Sequence, residues 1–322
     1  MDLIGAESVQ TFILRRTFSS IFVLFIVTLI TFFSINLLPG DLASRIAGEE
    51  PSQEQIEMVR EALGLNRPLH VRYFEWIGGI IRLDLGDSLR TQADVSELIG
   101  RKLAVTAELG LLALIVAIVI AIPVGVLAGA RPGTFLDYGL TFFAVGGVSI
   151  PNFFLAMVFI IFFAVKLGWF PALGTTSIME DPLGNIRSLI LPIFTIGLTS
   201  CGSMARQVRG AMVEVMRQDY VRTARSKGLQ ERDVILRHVF RNALIPVVTV
   251  LGLQMTIIIG GSIITETIFK LPGMGKLLID SIYIMDTPIV QGIVLVLATT
   301  ILALNLLVDI SYAYLDPRIR YS

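Results

Sequence analysis

Six stretches of this chain contain no Asp, Glu, Lys or Arg, and each is long enough to cross a lipid bilayer. They are residues 17–40 (24 residues), 109–130 (22), 138–165 (28), 188–205 (18), 242–265 (24) and 287–308 (22). A spanning helix needs about 20 predominantly apolar residues, since in hydrocarbon the backbone must pair within its own segment. Residues 1–322 are therefore expected to form one all-α, polytopic membrane domain with six transmembrane helices. Charged residues make up only 16% of the chain, against about 25% in soluble domains. The formal net charge is +0, so bulk charge points to no nucleic-acid partner.

The first apolar stretch follows Arg15 and Arg16, as in a signal peptide. It exceeds the about 7–15 residues of a signal h-region and runs into "NLLPGD" without a small-x-small cleavage site, so it reads as a retained span. Cys201, the only cysteine, falls inside the fourth stretch and reads as packing.

Charge sets the expected orientation. With the N-terminus in the cytoplasm, residues 41–108, 166–187 and 266–286 lie outside, and 131–137, 206–241 and 309–322 inside. The 206–241 loop carries nine basic residues (Arg206, Arg209, Arg217, Arg222, Arg225, Lys227, Arg232, Arg237 and Arg241) against four acids. The outer loops 166–187 and 266–286 carry two basic residues each, and Arg318 and Arg320 lie in the C-terminal tail. The positive-inside rule then places both termini in the cytoplasm. In the long outer loop 41–108, Ser52 is a candidate N-cap and Gly64 a stop. Ile56, Val59 and Leu63 share a stripe, so a short amphipathic helix is expected there, either capping the bundle or docking an outside partner. Pro123, Pro151, Pro192 and Pro246 interrupt the spans, and Ala121, Gly125 and Gly129 form a small-residue row suited to close helix packing. No charged side chain lies in the middle of a span, which argues against a proton relay.

The most charged part of the chain is "DYVRTARSKGLQERDVILRHVFRNALIPVV", residues 219–248. As helix it divides at Gly228. Tyr220, Ala224 and Lys227 share a face before the glycine, and Val234, Ile235, Leu236, Val239 and Phe240 supply apolar neighbours after it. Two short amphipathic helices at the membrane surface are expected. A lipid-facing pair whose arginines meet headgroups is one reading. A DNA-reading helix-turn-helix is discounted, because Asn242 begins a span one residue after Arg241.

"PGMGK" at 272–276 mimics a P-loop, but Lys270 and Leu277 stand where Gly and Ser or Thr are required. The two histidines, His70 and His238, lie on opposite sides of the membrane, so no metal site is expected. No Gly-x-Ser-x-Gly or His-Glu-x-x-His occurs, and no catalytic residues are expected. In "ETIFKLPGMG", Glu266, Pro272, Gly273 and Gly275 read either as a rigid turn shaping an outer gate or as a simple surface turn.

"DYVRTARSKGL…RHVFRNALIPVV" resembles the cytoplasmic coupling motif of bacterial ABC-importer permeases of the dipeptide/oligopeptide branch, which includes peptide, nickel and glutathione importers. "ILRR", "LPGD", "LGLNRPLHVRYFEWIGGIIRLDLGDSL", "GGSIITETIFKLPGMGKLLIDSI", "DTPIVQG" and "YLDPRIRY" resemble further family stretches in the same order. The general motif reads Glu-Ala-Ala, three residues, Gly, nine residues, Ile-x-Leu-Pro. Anchored on Gly228, this chain has Arg222, Thr223 and Ala224 at the first three positions, and His238, Phe240 and Arg241 at the last ones. Only Ala224 and Gly228 match, a departure typical of the peptide branch.

The resemblance implies a type I importer permease fold. It implies an ATPase-coupling set of Tyr220, Arg222, Thr223, Ala224, Arg225, Lys227, Gly228, His238, Arg241 and Asn242; the gate alternative for the Pro-Gly turn, which rests on the turn residues themselves, places Glu266, Pro272, Gly273 and Gly275 on the binding-protein side. The resemblance also implies partners: a homologous second permease, two ABC ATPase subunits that hold ATP and magnesium, and an extracytoplasmic substrate-binding protein, in a bacterial cytoplasmic membrane. No cofactor is expected on this chain. The substrate stays open among dipeptides, oligopeptides, glutathione and nickel complexes, and a stand-alone secondary carrier is the rival outside the family.

Overall fold

The structure, a computed structural model, describes residues 9–36, 42–47 and 51–315. The motif "LPGD" and residues 316–321 of "YLDPRIRY", with Arg318 and Arg320, lie outside the described residues. In chain order the helices are α1 (Val9–Asn36), α2 (Leu42–Ala47), α3 (Gln53–Ala62), α4 (Leu69–Ile81), α5 (Val95–Ala130), α6 (Phe135–Ser149), α7 (Asn152–Phe159), α8 (Pro182–Met216), α9 (Asp219–Ser226), α10 (Glu231–Asp233), α11 (Arg241–Ile268), α12 (Met274–Tyr283) and α13 (Thr287–Leu315). π-helical turns continue α7 through Ile160–Lys166 and join α10 to α11 through Val234–Phe240. Among the described residues the only β pairing is an isolated bridge between Asp87 and Asp94.

Five helices contain a segment long and apolar enough to cross a membrane: Ile13–Ser34, Val95–Ala130, Pro182–Met216, Val250–Ile268 and Thr287–Ser311. The third apolar stretch, expected as one span over 138–165, is instead a broken pair, with Phe135–Gly147 and Asn152–Lys166 meeting at 93°. The cause is local. Pro151 pushes the residue before it out of the helical region, and Ile150 takes φ −87° and ψ 119°. Pro151 then opens α7 as its N-cap.

The other stretches are carried by helices longer than the charge-free gaps. α5 starts at Val95, and α8 runs on to Met216, so residues 206–216 are helix and not loop. The second surface helix expected after Gly228 is not separate. Residues 231–268 form one continuous helical run, with no break at Asn242.

The chain divides into two compact units. The first comprises Met1–Phe18, Val105–Lys276 and Thr300–Ser322. Its packing is set by glycines. A Cβ on Gly197 would lie 2.9 Å from Val116, one on Gly125 2.6 Å from Val208, and one on Gly129 2.5 Å from Met212. The contacts rise in the same order along both chains, so α5 and α8 run parallel. On α6, Gly147 lies against Leu198 and Asp137 pairs with Arg209, so α6 runs antiparallel to α8. Gly110 against Ile258 and Thr106 against Glu266 make α11 antiparallel to α5. Two parallel helices need a return crossing between them, and the broken pair α6–α7, counted as one span, supplies it and brings the candidate spans among the described residues to six.

The second unit comprises Ser19–Ala104 and Leu277–Thr299. Phe32, Phe33, Tyr73 and Trp76 cluster within it, and Arg72 lies 5.9 Å over the Phe32 ring. Burial lowers the Arg72 pKa. Ser52 caps α3 by a reciprocal bond pair with Gln55, and Gly64 follows the helix at φ +62°.

Candidate functional site

The stretch around Gly228 is a compact module seated on the end of α8. α9 turns Val221 and Ala224 inward. They join Val234 and Val239 against Met204, Ala205, Val208, Ala211 and Met212 of α8 and Ala243 and Val247 of α11. Each buried valine contributes about 1.5–3 kcal/mol relative to exposure, so the module is fixed to α8 and does not hang from it. Of the face expected from Tyr220, Ala224 and Lys227, only Ala224 is buried. The seat is Val221 with Ala224, three residues apart, and Leu236 is also turned outward.

Gly228 has φ +77°, and nothing lies within 4 Å of a Cβ built on it. Glycine is needed there for backbone conformation and not for space. Across this turn Arg225 grips Glu231 with two bonds, Nε to Oε2 at 3.1 Å and Nη2 to Oε1 at 2.7 Å. The Glu231 carboxylate raises the Arg225 pKa further, while partial burial opposes it. This planar fork fixes the angle between α9 and the following helix.

The remaining expected coupling residues are exposed or half-buried. Arg222 stands 3.7 Å from Asp219 and Arg237 3.4 Å from Asp233, both on the module's own surface. Thr223 donates its hydroxyl to the Asp219 carbonyl at 3.0 Å, and Asn242 donates Nδ2 to the His238 carbonyl at 2.6 Å. His238 is half-buried, and Lys227 and Arg241 are exposed. Tyr220, Leu229 and Leu236 add exposed apolar area of 43–47% each. The outer surface of the module therefore alternates apolar side chains with arginines, a composition suited to a protein groove.

The second expected site lies at the opposite end of the same unit. Glu266 is fully buried. Its carboxylate accepts the Thr106 hydroxyl at 2.8 Å and the backbone N–H groups of Gly275 at 2.7 Å and Lys276 at 3.1 Å. Thr106 in turn accepts the Met274 N–H at 2.8 Å. Glu266 thus closes the N-terminus of α12, where an anion also complements the helix dipole. A Cβ on Gly273 would come within 2.4 Å of that carboxylate, and one on Gly275 within 2.5 Å of the Ile263 Cα. Pro272 is half-buried. Glu266, Gly273 and Gly275 form a packed interior corner, not a surface turn. From Thr106 to Gly129, α5 rises about 35 Å, close to the thickness of a bilayer core. The corner and the Gly228 module therefore stand at opposite ends of one set of helices, about 35 Å apart along α5.

Three polar pairs with at least one buried member were not legible in the sequence. Asp137, 1% exposed, takes Arg209 Nε and Nη2, the latter at 2.7 Å. Gln254, also 1% exposed, donates Nε2 to Ser203 at 2.7 Å. In the second unit Ser88 donates to Asp286 at 2.5 Å. Asp137 and Arg209 fall just beyond charge-free stretches and so counted as loop charges. Gln254 is uncharged and invisible to such a count. Ser88 and Asp286 sit in "LGDSL" and "DTPIVQG", motifs whose meeting no spacing rule reveals. Among the described residues no group of three or more His, Cys, Asp and Glu side chains is placed to hold a metal ion.

Residues 121–321 match the family described as the binding-protein-dependent transport system inner membrane component. Residues 9–110 match the N-terminal membrane component of the same systems. A Brucella abortus protein named as a peptide transport system permease is 45% identical over 309 residues, covering 96% of this chain and 98% of its own length. The oligopeptide transport system permease protein AppB of Bacillus subtilis is 40% identical over 96% of this chain and 99% of its own. The glutathione transport system permease protein GsiC of Salmonella choleraesuis is 39% identical with the same coverage. Among solved structures, an inward-facing MetNI methionine ABC transporter chain superposes with a TM-score of 0.54 at 18% identity, over 68% of this chain and 96% of that one. It shares the fold.

Proposed function

From the premise that the chain belongs to the binding-protein-dependent transport system inner membrane component family, we propose that it is the subunit that passes peptides across the membrane in an ATP-driven importer. It is an integral inner-membrane transport subunit and carries out no bond chemistry. The peptide assignment rests on relatives of 38–45% identity named for peptide, oligopeptide, dipeptide and glutathione transport. Both termini lie in the cytoplasm in this reading, as the nine basic residues of 206–241 favour. The substrate is delivered by an extracytoplasmic binding protein on the Glu266 side. A second, homologous permease completes the pathway, and two ATPase subunits hold ATP and magnesium.

The observation that carries the proposal is the seating of the Gly228 module. Its inner face is fixed to α8 by Val221, Ala224, Val234 and Val239. Its outer face offers Tyr220, Arg222, Leu229, Leu236 and Arg237. A partner that grips the outer face moves α8, and α8 is locked to α5 at Gly125 and Gly129, where no side chain fits between the helices. Closure of the ATPases on ATP then tilts a stiff lever that reaches across the membrane.

The test uses Gly228→Pro and Arg222→Glu in the assembled transporter. Proline needs φ near −65°, incompatible with +77°. Reversal of an interface charge costs up to several kcal/mol. Both variants are expected to insert normally and to lose ATPase co-purification or substrate-stimulated hydrolysis. Normal values of both in both variants would defeat the proposal and leave a lipid-facing helix pair.

A further inference from the structure

We propose that Asp137 and Arg209 are the positioning pair through which movement of the Gly228 module reaches the broken helix pair α6–α7, an inference that rests on the coupling reading above. Asp137 lies in the first turn of α6. Its carboxylate gathers four groups: the two guanidinium nitrogens of Arg209, the Gly133 N–H at 2.9 Å and the Thr141 hydroxyl at 3.3 Å. The fork from Arg209 makes two parallel bonds, so it fixes direction as well as distance.

Arg209 stands in a stretch of α8 that three neighbouring elements share. Val208 and Met212 fill the hollows left by Gly125 and Gly129 of α5. Ala211 and Met212 belong to the core that seats Val221 and Ala224 of α9. Between them, Arg209 holds the start of α6. One segment of eight residues, 205–212, therefore binds α5, α6 and α9 together. α6 ends at Ile150 and Pro151, where the chain bends by 93° before α7. A displacement of α9 carries the end of α8, which draws the start of α6 through the ion pair, and the motion becomes rotation at the bend.

Stability alone does not account for the pair. Asp137 is buried while the Arg209 side chain keeps 32% exposure; taking the carboxylate out of water gives up hydration that pairing only partly returns, and apolar replacements of buried pairs are often neutral or stabilising. A directional tie between two helices is something a pair of leucines does not supply.

The experiment uses the full transporter in lipid nanodiscs, in a Cys201→Ser background with Phe154→Cys as a probe on α7, where Phe154 is 54% exposed. Three variants are compared: Asp137→Asn, Arg209→Gln, and the joint change Asp137→Leu with Arg209→Leu. ATPase co-purification, unstimulated hydrolysis, substrate-stimulated hydrolysis and the ATP-dependent change in maleimide labelling of the probe are measured. The expected result is assembled complexes with unchanged unstimulated hydrolysis, stimulated hydrolysis down by about tenfold, and no change in labelling with ATP. Assembled complexes with normal stimulation and a normal labelling change overturn the proposal. So does loss of assembly in all three variants, since that assigns the pair to stability. Gly228→Pro is run alongside. If it too is fully coupled, the coupling reading has failed; if only the Asp137 and Arg209 variants are coupled, this inference alone has failed.

Discussion

Replacing Glu266 separates a packed corner from a gate made only of surface residues. The carboxylate takes three donors, from Thr106, Gly275 and Lys276, in a site closed to solvent. Hydrogen bonds to a charged group contribute about 1.5–3 kcal/mol each. Glu266→Ala removes the acceptor from all three donors and opens a cavity, so its cost is set at about 3–6 kcal/mol, taking two bonds as effectively lost. Glu266→Gln keeps the shape. Its single carbonyl oxygen can hold the Gly275 and Lys276 N–H groups while the amide nitrogen faces the Thr106 oxygen. What it loses is the charge at the start of α12, about 1–2 kcal/mol in a buried geometry. Gly273→Ala belongs near the glutamine variant, because the carboxylate can retreat from a methyl group 2.4 Å away only by loosening its donors. The assay is the temperature at which the solubilised complex loses its monodisperse peak in size-exclusion chromatography. The predicted order is wild type, then glutamine and Gly273→Ala, then alanine. Wild-type stability of Glu266→Ala would refute the reasoning, because a carboxylate that closes a helix end cannot be removed without cost.

Two further substitutions follow from the geometry. Arg225→Glu should break the fork to Glu231 and reduce substrate-stimulated hydrolysis, and adding Glu231→Arg should recover a large part of it; no recovery would place Arg225 on the partner and not within the module. Gly125→Leu should prevent assembly or lower thermal stability by about 3 kcal/mol or more, because its Cβ would sit 2.6 Å from that of Val208 and 2.7 Å from the Ala205 carbonyl; wild-type stability would contradict the parallel α5–α8 seam.

Features set by one residue's own chemistry were legible in the sequence. Ser52 marks the start of α3, and the small-residue row of Ala121, Gly125 and Gly129 marks the face of α5 that meets α8. Gly228 marks the turn because a left-handed backbone is costly for anything else. Features that depend on partners distant in sequence were not legible. A count of charge-free residues measures apolar length, so it joined α6 to α7 through Pro151 and ended α8 at Arg206, although the helix continues to Met216. It also treated a charge beyond a span as solvated, which fails for Asp137 because Arg209 sits 72 residues away in the sequence. Within the module, Arg222 and Arg225 look alike as text. Only the structure shows one at the surface and the other committed to Glu231.

The claim that the Gly228 module is where the ATPase grips is tested most directly by photo-cross-linking. A photoreactive phenylalanine analogue is placed at Leu236 or Tyr220, both exposed on the module, and at Leu183, 77% exposed near the start of α8, as a control. The account predicts adducts between this chain and an ATPase subunit from positions 236 and 220, with yields that change when ATP is bound, and none from position 183. Lipid adducts at 236 and 220, with no ATPase adduct in either nucleotide state, would contradict it.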